Sequence, residues 1–214
     1  MYLGLTGNIA SGKSTAAMFF EKHGCHCIDT DEISRIVMRP GEKAYLGVVE
    51  AFGREIVRED ETLDRAKIRE IVFNNPEKRK VLEGIVQPAI LEYESKAVGG
   101  IKGRNDKAII ITQAALTVES GSYKRFDWLI VVYTDPKVQL QRVMKRDSIT
   151  QEQAKKIIDA QMSIEEKLKY ANFVIDNSSD IDRLEREVRR VIELIKLIGK
   201  CTKSKRERVC TNLE

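Results

Sequence analysis

A glycine-rich segment close to the N-terminus is the feature that most constrains the fold of this chain. Gly7, Gly12, Lys13 and Ser14 follow the spacing G-x4-G-K-[ST], between a short apolar run and a helical pattern. Strand, loop and helix in this order bind phosphate, because glycines let backbone N–H groups approach a ligand and the helix directs its positive end toward it. A glycine-rich turn with an incidental lysine is the alternative, and the flanking strand and helix argue against it.

Each part of this loop has a predicted role in nucleotide binding. Lys13 would bring a positive charge to the β- and γ-phosphates, and the Ser14 hydroxyl is placed to bind a Mg²⁺ ion that bridges the same oxygens. The predicted ATP-binding set covers the loop and the first turn of the helix: Gly7, Asn8, Ile9, Ala10, Ser11, Gly12, Lys13, Ser14 and Thr15. We therefore expect ATP as a substrate and Mg²⁺ as the cofactor.

Short apolar runs alternate with helical patterns along the chain. Strands are predicted at residues 2–6, 26–28, 108–112, 128–133 and 173–175. Residues 99–106 form the clearest predicted loop, and Pro76 and Pro88 are expected to interrupt the helical region before it. This alternation is typical of an α/β fold, so we predict a parallel five-stranded core sheet with helices on both faces.

The composition fits a globular protein and argues against several other classes. With 214 residues, 42% of them hydrophobic and 33% charged, the chain can bury a sizeable core. Its apolar runs are far shorter than the roughly 18–20 residues of a membrane span, and its first residues lack the pattern of a secretory signal. We therefore expect a cytoplasmic protein. The net charge of +4 is too small to predict nucleic-acid binding.

Most of the net charge lies at the C-terminus. Residues 200–214 contain five basic and two acidic side chains, a net +3, which leaves +1 for the rest of the chain. We predict a mobile basic tail after a helix that ends near Ile198. The four cysteines lack the spacing of a zinc site, and we expect free thiols at Cys25, Cys27, Cys201 and Cys210.

Acidic residues follow the second predicted strand. Because the carboxyl ends of parallel strands share one edge of a sheet, Asp29 and Asp31 are expected on the same edge as the glycine loop. Phosphoryl transfer to a hydroxyl needs a carboxylate that accepts its proton, so an aspartate here is a candidate base. Capping of the next helix is the alternative role. The D-x-x-G and N-K-x-D motifs of GTPases are missing from the sequence.

A cluster of basic residues follows the fourth predicted strand. Arg142 and Arg146 lie four residues apart on one helical face, with Lys145 beside them. We predict a lid at about residues 142–165, in which the two arginines neutralise charge on the transferring phosphoryl group. A solvated helix face is the alternative interpretation.

Two stretches resemble the dephospho-CoA kinase family: residues 5–15, LTGNIASGKST, and residues 28–35, IDTDEISR. The resemblance extends from Leu5 to about Ile198. It implies transfer of the ATP γ-phosphoryl group to the ribose 3′-hydroxyl of dephospho-CoA, which gives coenzyme A and ADP. It also assigns roles by position: Asp31 as the base and as a substrate contact, Asn177 near adenine, and Arg35, Arg69 and Glu119 at the acceptor.

This resemblance implies a single P-loop kinase domain over residues 1–199, similar in fold to nucleoside monophosphate kinases. Its core would comprise residues 1–31, 108–141 and 170–199, with a helical acceptor-binding insertion at about residues 32–107. The expected partners are the small molecules ATP and dephospho-CoA, without nucleic acid or membrane, and the expected state is a monomer or small homo-oligomer.

The chain departs from the family pattern at several positions. Gln113 occupies a strand end that often carries an acid, Gln87 precedes Pro88 where histidine is usual, and Lys167 stands where arginine is common. Two rival functions stay open: another small-metabolite or nucleoside monophosphate kinase, and an ATP-dependent switch or adaptor that uses the basic tail.

Overall fold

The computed structural model describes the backbone of residues 1–210 and the side chains of residues 1–199. In chain order the elements are β1 (Tyr2–Thr6), α1 (Lys13–Lys22), β2 (His26–Asp29), α2 (Thr30–Val37), α3 (Lys43–Phe52), α4 (Arg65–Phe73), α5 (Pro76–Arg104), β3 (Ile110–Gln113), β4 (Trp128–Tyr133), α6 (Pro136–Asp147), α7 (Gln151–Asp159), α8 (Ile164–Leu168), β5 (Phe173–Asp176) and α9 (Ile181–Cys210). They divide into two compact units, one formed by Met1–Ile28 with the chain from Lys107 onward, the other by Asp29–Asp106.

The five strands form one sheet in the order β2-β3-β1-β4-β5. The pairings of β1 with β3, β1 with β4 and β4 with β5 are parallel, with Leu5 opposite Gln113, Thr6 opposite Val131 and Tyr133 opposite Asp176. The predicted parallel five-stranded sheet is therefore confirmed. Since the strands share one direction, the loops that follow β1, β4 and β5 leave from the same edge.

The sheet is apolar on both faces. Successive side chains of a strand point to opposite faces, and most of those in the central strands are apolar and buried. On one face, Leu5 and Ile130 pack with Phe20 of α1 and Val188 of α9. On the other face, Leu129 and Val131 of β4 pack with Val118 and with Ile164 of α8. Burial of each such side chain contributes about 1.5–3 kcal/mol relative to exposure. The core thus holds α1, the helix that follows the glycine loop, against the sheet.

Two cysteines lie behind α1 in the first unit. Cys25 and Cys27 are free thiols, and the Cys27 thiol donates to the carbonyl oxygen of Ala17 at 3.3 Å. Burial raises the pKa of Cys25 to about 11 and raises that of Cys27 further above the ordinary thiol value. Both thiols are therefore protonated at neutral pH and pack as small apolar groups.

The second unit is helical. Asp64 caps α4, since its carboxylate accepts from the backbone N–H groups of Ala66 and Lys67, each at 3.1 Å. Gly53 ends α3 with a φ of 86°, a conformation that favours glycine. The long helix α5 packs against α2, α3 and α4.

The predicted loop at residues 99–106 is wrong, because α5 continues to Arg104. Gly99, Gly100 and Gly103 are all inside the helix, and Pro88 also lies within it instead of ending it. Each interior glycine costs roughly 1 kcal/mol relative to alanine. The buried stripe of α5 outweighs this local preference through side chains that recur every four residues: Val86, Ile90, Glu94 and Val98.

The last helix extends further than predicted. It begins at Ile181 and ends at Cys210, whereas the sequence pattern ended it near Ile198. The side chains of the basic tail, including Cys201 and Cys210, lie outside the described residues. Within the described part of the chain, no helix combines the length and apolar character that a membrane crossing requires.

Candidate active site

The glycine loop connects the end of β1 to the start of α1. Gly12 and Ala10 adopt left-handed conformations, with φ of 85° and 57°, and the Ser11 N–H donates to the Asn8 carbonyl at 3.1 Å. Successive backbone conformations of opposite hand turn N–H groups toward one concave side, where an anion binds. Lys13 and Ser14 follow as the first residues of α1, at its positive end.

Glycine is required at both ends of this loop for lack of space. A Cβ at Gly7 would lie 2.8 Å from the Val132 carbonyl oxygen, and a Cβ at Gly12 would overlap Nδ2 of Asn177. The motif therefore reflects close packing of the loop against β4 and against the segment after β5, in addition to access for a ligand.

Two side chains hold the end of the loop from neighbouring strand ends. Thr134 follows β4, and its hydroxyl donates to the Ser11 carbonyl at 3.1 Å. Asn177 follows β5, and its side-chain amide donates to the same oxygen at 2.7 Å. Both side chains are buried. Asn177, which the resemblance places near adenine, thus also fixes the backbone of the phosphate loop.

A second pair of side chains holds the middle of the loop. The Ile9 N–H donates to Oε1 of Gln161 at 2.8 Å, and the Ile9 carbonyl accepts from Nε2 of Gln139 at 2.9 Å. Beside them, the Asn8 amide donates to the Met162 carbonyl at 3.0 Å. No sequence motif points to Thr134, Gln139 or Gln161, because each lies more than 120 residues from the part of the loop that it holds.

A cavity of about 270 Å³ opens beside the first turn of α1. Its lining includes Ala10, Gly12, Thr15, Arg142, Asn177 and Ser179. Arg142 donates to the Ser179 carbonyl at 3.4 Å, which orients the guanidinium at this cavity. The structure therefore brings together three parts of the predicted site: the glycine loop, Arg142 and Asn177.

Arg146, the other predicted lid arginine, has a different partner. Its Nε and one terminal nitrogen bind the two carboxylate oxygens of Asp147 at 2.8 and 2.9 Å. Hydrogen bonds from Arg146 hold the pKa of the Asp147 carboxyl below its ordinary value. Arg142 and Arg146 thus share a helix but differ in environment.

The predicted acceptor residues of the second unit lie on exposed helix surfaces. Asp31 and Arg35 occupy positions i and i+4 of α2, and Arg69 lies on α4; all three are exposed. The cap of α2 is Asp29, whose carboxylate accepts from the Asp31 N–H at 2.8 Å. The capping role considered for Asp31 therefore belongs to Asp29.

Glu119, also predicted at the acceptor, forms an ion pair in the first unit. Its carboxylate lies 2.9 Å from the ammonium of Lys167, which is 0% exposed and also donates to the Ala115 carbonyl at 3.1 Å. The sequence marked Lys167 only as a departure from a family pattern. The structure shows that it joins α8 to the loop after β3.

The phosphate loop follows β1, the central strand of the parallel sheet, and α6, which carries Arg142, follows the neighbouring strand β4. This arrangement defines a P-loop kinase. A shikimate kinase from Acinetobacter baumannii shares the fold, with a TM-score of 0.53 at 17% identity over 91% of this chain and 92% of that one. A structure from Thermus thermophilus is more similar, with a TM-score of 0.77 at 28% identity over 90% of this chain and 96% of that one.

The particular family follows from sequence comparison. A family model described as dephospho-CoA kinase matches residues 1–183. A dephospho-CoA kinase from Aquifex aeolicus is 39% identical over 89% of this chain and 95% of its own length, and one from Geobacter metallireducens is 40% identical over 88% and 93%. The chain belongs to the dephospho-CoA kinase family.

Proposed function

We propose that this chain transfers the γ-phosphoryl group of ATP to the ribose 3′-hydroxyl of dephospho-CoA, which gives coenzyme A and ADP, the last step of coenzyme A biosynthesis. The carrying observation is the cavity at which the glycine loop, Arg142 and Asn177 meet. Family membership supports the choice of acceptor.

The loop and α1 provide the groups that ATP phosphates need. The amides of residues 7–15 and the positive end of α1 bind phosphate oxygens, and Lys13 adds a full positive charge at the β- and γ-phosphates. Arg142 faces the same cavity, where its guanidinium can neutralise charge that builds up during transfer. Preorganised charge of this kind lowers the barrier more than a mobile solvent does.

Asp31 is the proposed base for the 3′-hydroxyl. A base needs a carboxylate that is accessible and not used elsewhere in capping, and Asp29 performs the capping of α2. Arg35, one turn further along α2, and Arg69 are the proposed anion contacts for the acceptor, because guanidinium groups bind phosphate through two parallel N–H bonds. Glu119 is a proposed acceptor contact whose carboxylate Lys167 holds.

The loop also fits a magnesium ion. Ser14 has an exposed side chain in the first turn of α1, and Mg²⁺ takes oxygen ligands largely from water and substrate phosphates. Such a site does not need an all-protein cage, and the described residues contain no cluster of three or more His, Cys, Asp or Glu side chains that could form one. The Ser14 hydroxyl would hold the ion, and the ion would supply positive charge near the phosphates of ATP.

We further propose that the protein is cytoplasmic and that its partners are small molecules alone. We expect it to be a monomer or a small homo-oligomer. Light scattering of the purified protein measures the oligomeric state. A mass at or above about six chains would contradict it.

An acceptor screen tests the activity. The purified chain, ATP and Mg²⁺ are incubated with dephospho-CoA, AMP, CMP or gluconate, and ADP release is measured. We expect release above background with dephospho-CoA and much less with the others. Lys13→Ala is the matched control, since it should abolish release. Preference for another acceptor would overturn the substrate assignment while leaving the kinase assignment intact.

A further inference from the structure

Both polar backbone groups of Ile9 are bound by glutamine side chains. Gln139 of α6 donates to its carbonyl at 2.9 Å, and Gln161, between α7 and α8, accepts from its N–H at 2.8 Å. Gln139 is 4% exposed. A glutamine amide carries both a donor and an acceptor. Gln139 uses its N–H donor for the Ile9 carbonyl, and Gln161 uses its oxygen acceptor for the Ile9 N–H.

Gln139 and Gln161 together form a clamp on Ile9, and the residue after Ile9 explains why this clamp is needed. Ala10 has a φ of 57°, and the left-handed conformation costs an L-residue roughly 1–2 kcal/mol. Ala10 lies between Ile9, held by the two glutamines, and Ser11, whose carbonyl is held by Thr134 and Asn177. A strained residue persists only where its surroundings over-determine it. The side-chain contacts on both sides of Ala10 meet this condition.

The clamp also joins the predicted lid to the loop. The Asn8 side chain donates to the Met162 carbonyl at 3.0 Å, next to the bond between Ile9 and Gln161. Two hydrogen bonds thus connect residues 8–9 to residues 161–162. Neither Gln139 nor Gln161 is part of the cavity lining, so both act on a ligand through the loop backbone.

We propose that Gln139 and Gln161 are positioning residues that hold Ile9 and thereby keep Ala10 left-handed, so that the loop amides are arranged for phosphate before ATP arrives. The proposal rests on ATP binding at this loop, which belongs to the proposed function. Without the clamp, the loop would have to be ordered when ATP binds, and that cost would lower affinity for ATP. Affinity for the acceptor would change little.

Binding of a non-hydrolysable ATP analogue, measured by calorimetry, provides the first test. We expect Gln161→Met to raise the Kd about tenfold and Gln139→Met to do the same. Gln141→Met, at an exposed position of α6 outside the predicted lid, is the matched control and should leave the Kd within twofold of native. A Kd within twofold of native for Gln161→Met would overturn the proposal. Because no acceptor is present, failure of the dephospho-CoA assay would not affect this result.

The exchange rate of the Ile9 amide hydrogen, measured by NMR, reports directly on its bond to Gln161. Gln161→Met should speed exchange at least tenfold, whereas Gln161→Glu retains an acceptor oxygen and should keep the Ile9 N–H protected. Equal protection in both variants would contradict a bond to residue 161. A fall in melting temperature with unchanged Kd would show a merely structural role and would also overturn the proposal.

The role of Ala10 is tested by a double-mutant cycle. Glycine adopts positive φ without the cost that alanine has, so the Kd penalty of Gln161→Met should shrink from about tenfold to threefold or less in an Ala10→Gly background. The same tenfold penalty in both backgrounds would show that the clamp does not act through Ala10. Should Gln139→Met fail to fold, the Gln161 variants and this cycle still decide the question.

Discussion

The ammonium of Lys167 lies 2.9 Å from the carboxylate of Glu119 and is fully buried, whereas the carboxylate is partly exposed. A buried charge is tolerated only when it is paired and hydrogen-bonded, and the Ala115 carbonyl provides the second partner. This one side chain therefore fixes the loop after β3, on which Glu119 is placed.

Removal of this buried ammonium should destabilise the protein strongly. Lys167→Met leaves the partly exposed Glu119 carboxylate and the Ala115 carbonyl without their partner, and we expect a loss of about 1–3 kcal/mol in urea unfolding. Lys156→Met breaks a pair with Glu152 in which both side chains are at least 75% exposed, and should change stability by less than about 0.5 kcal/mol. Similar losses in both variants would argue against a special role for burial.

Asp31→Asn should separate catalysis from capping. If Asp31 accepts the proton, kcat should fall at least about a hundredfold while the melting temperature stays near native. Asp29→Ala is the matched variant: it removes the cap of α2 and should cost about 1 kcal/mol of stability. Retained turnover in Asp31→Asn would remove Asp31 from the mechanism.

The two lid arginines should differ in importance. Arg142 lines the phosphate-loop cavity, while Arg146 is paired with Asp147. We therefore expect Arg142→Met to lower kcat/KM about a hundredfold and Arg146→Met to lower it clearly less, in steady-state assays with saturating acceptor. Equal losses would indicate that Arg146 leaves Asp147 when ATP binds.

Glu185 should make stability depend on pH in the acidic range. It accepts from Lys22, His23 and Arg189 at 2.9, 3.0 and 3.3 Å, and these bonds, with that from Lys22 foremost, lower its pKa from 4.5 to about 2. A depressed folded-state pKa stabilises the protein above the unfolded value, so this contribution is complete above pH 4.5 and is lost as the pH falls toward 2.

Melting temperatures of native protein and Glu185→Gln measure this effect. The native protein should be the more stable at pH 7, and the difference should narrow between pH 4.5 and 2. Glu187→Gln is the control, because Glu187 lies on the same helix and pairs with Arg190. Its melting temperature should differ less from that of the native protein at pH 7. A difference in melting temperature that does not change with pH would contradict the assignment of this pH dependence to Glu185.

Local patterns predicted much of the fold, and distant contacts account for what they missed. The glycine loop, the strands and the cap at Asp64 depend on residues close together in sequence. The continuation of α5 through Gly99 and Gly100 depends on packing with other helices, which no local preference reveals. Likewise, a glutamine at position 139 or 161 has the same local pattern whether it faces solvent or holds Ile9.

The position of β1 in the middle of the sheet has a consequence for biosynthesis. β1 is translated before its neighbours β3 and β4, which end at Gln113 and Tyr133, and the phosphate loop after β1 is held by Asn177. The phosphate loop therefore reaches its final shape only after Asn177, 166 residues beyond Ser11, has been translated.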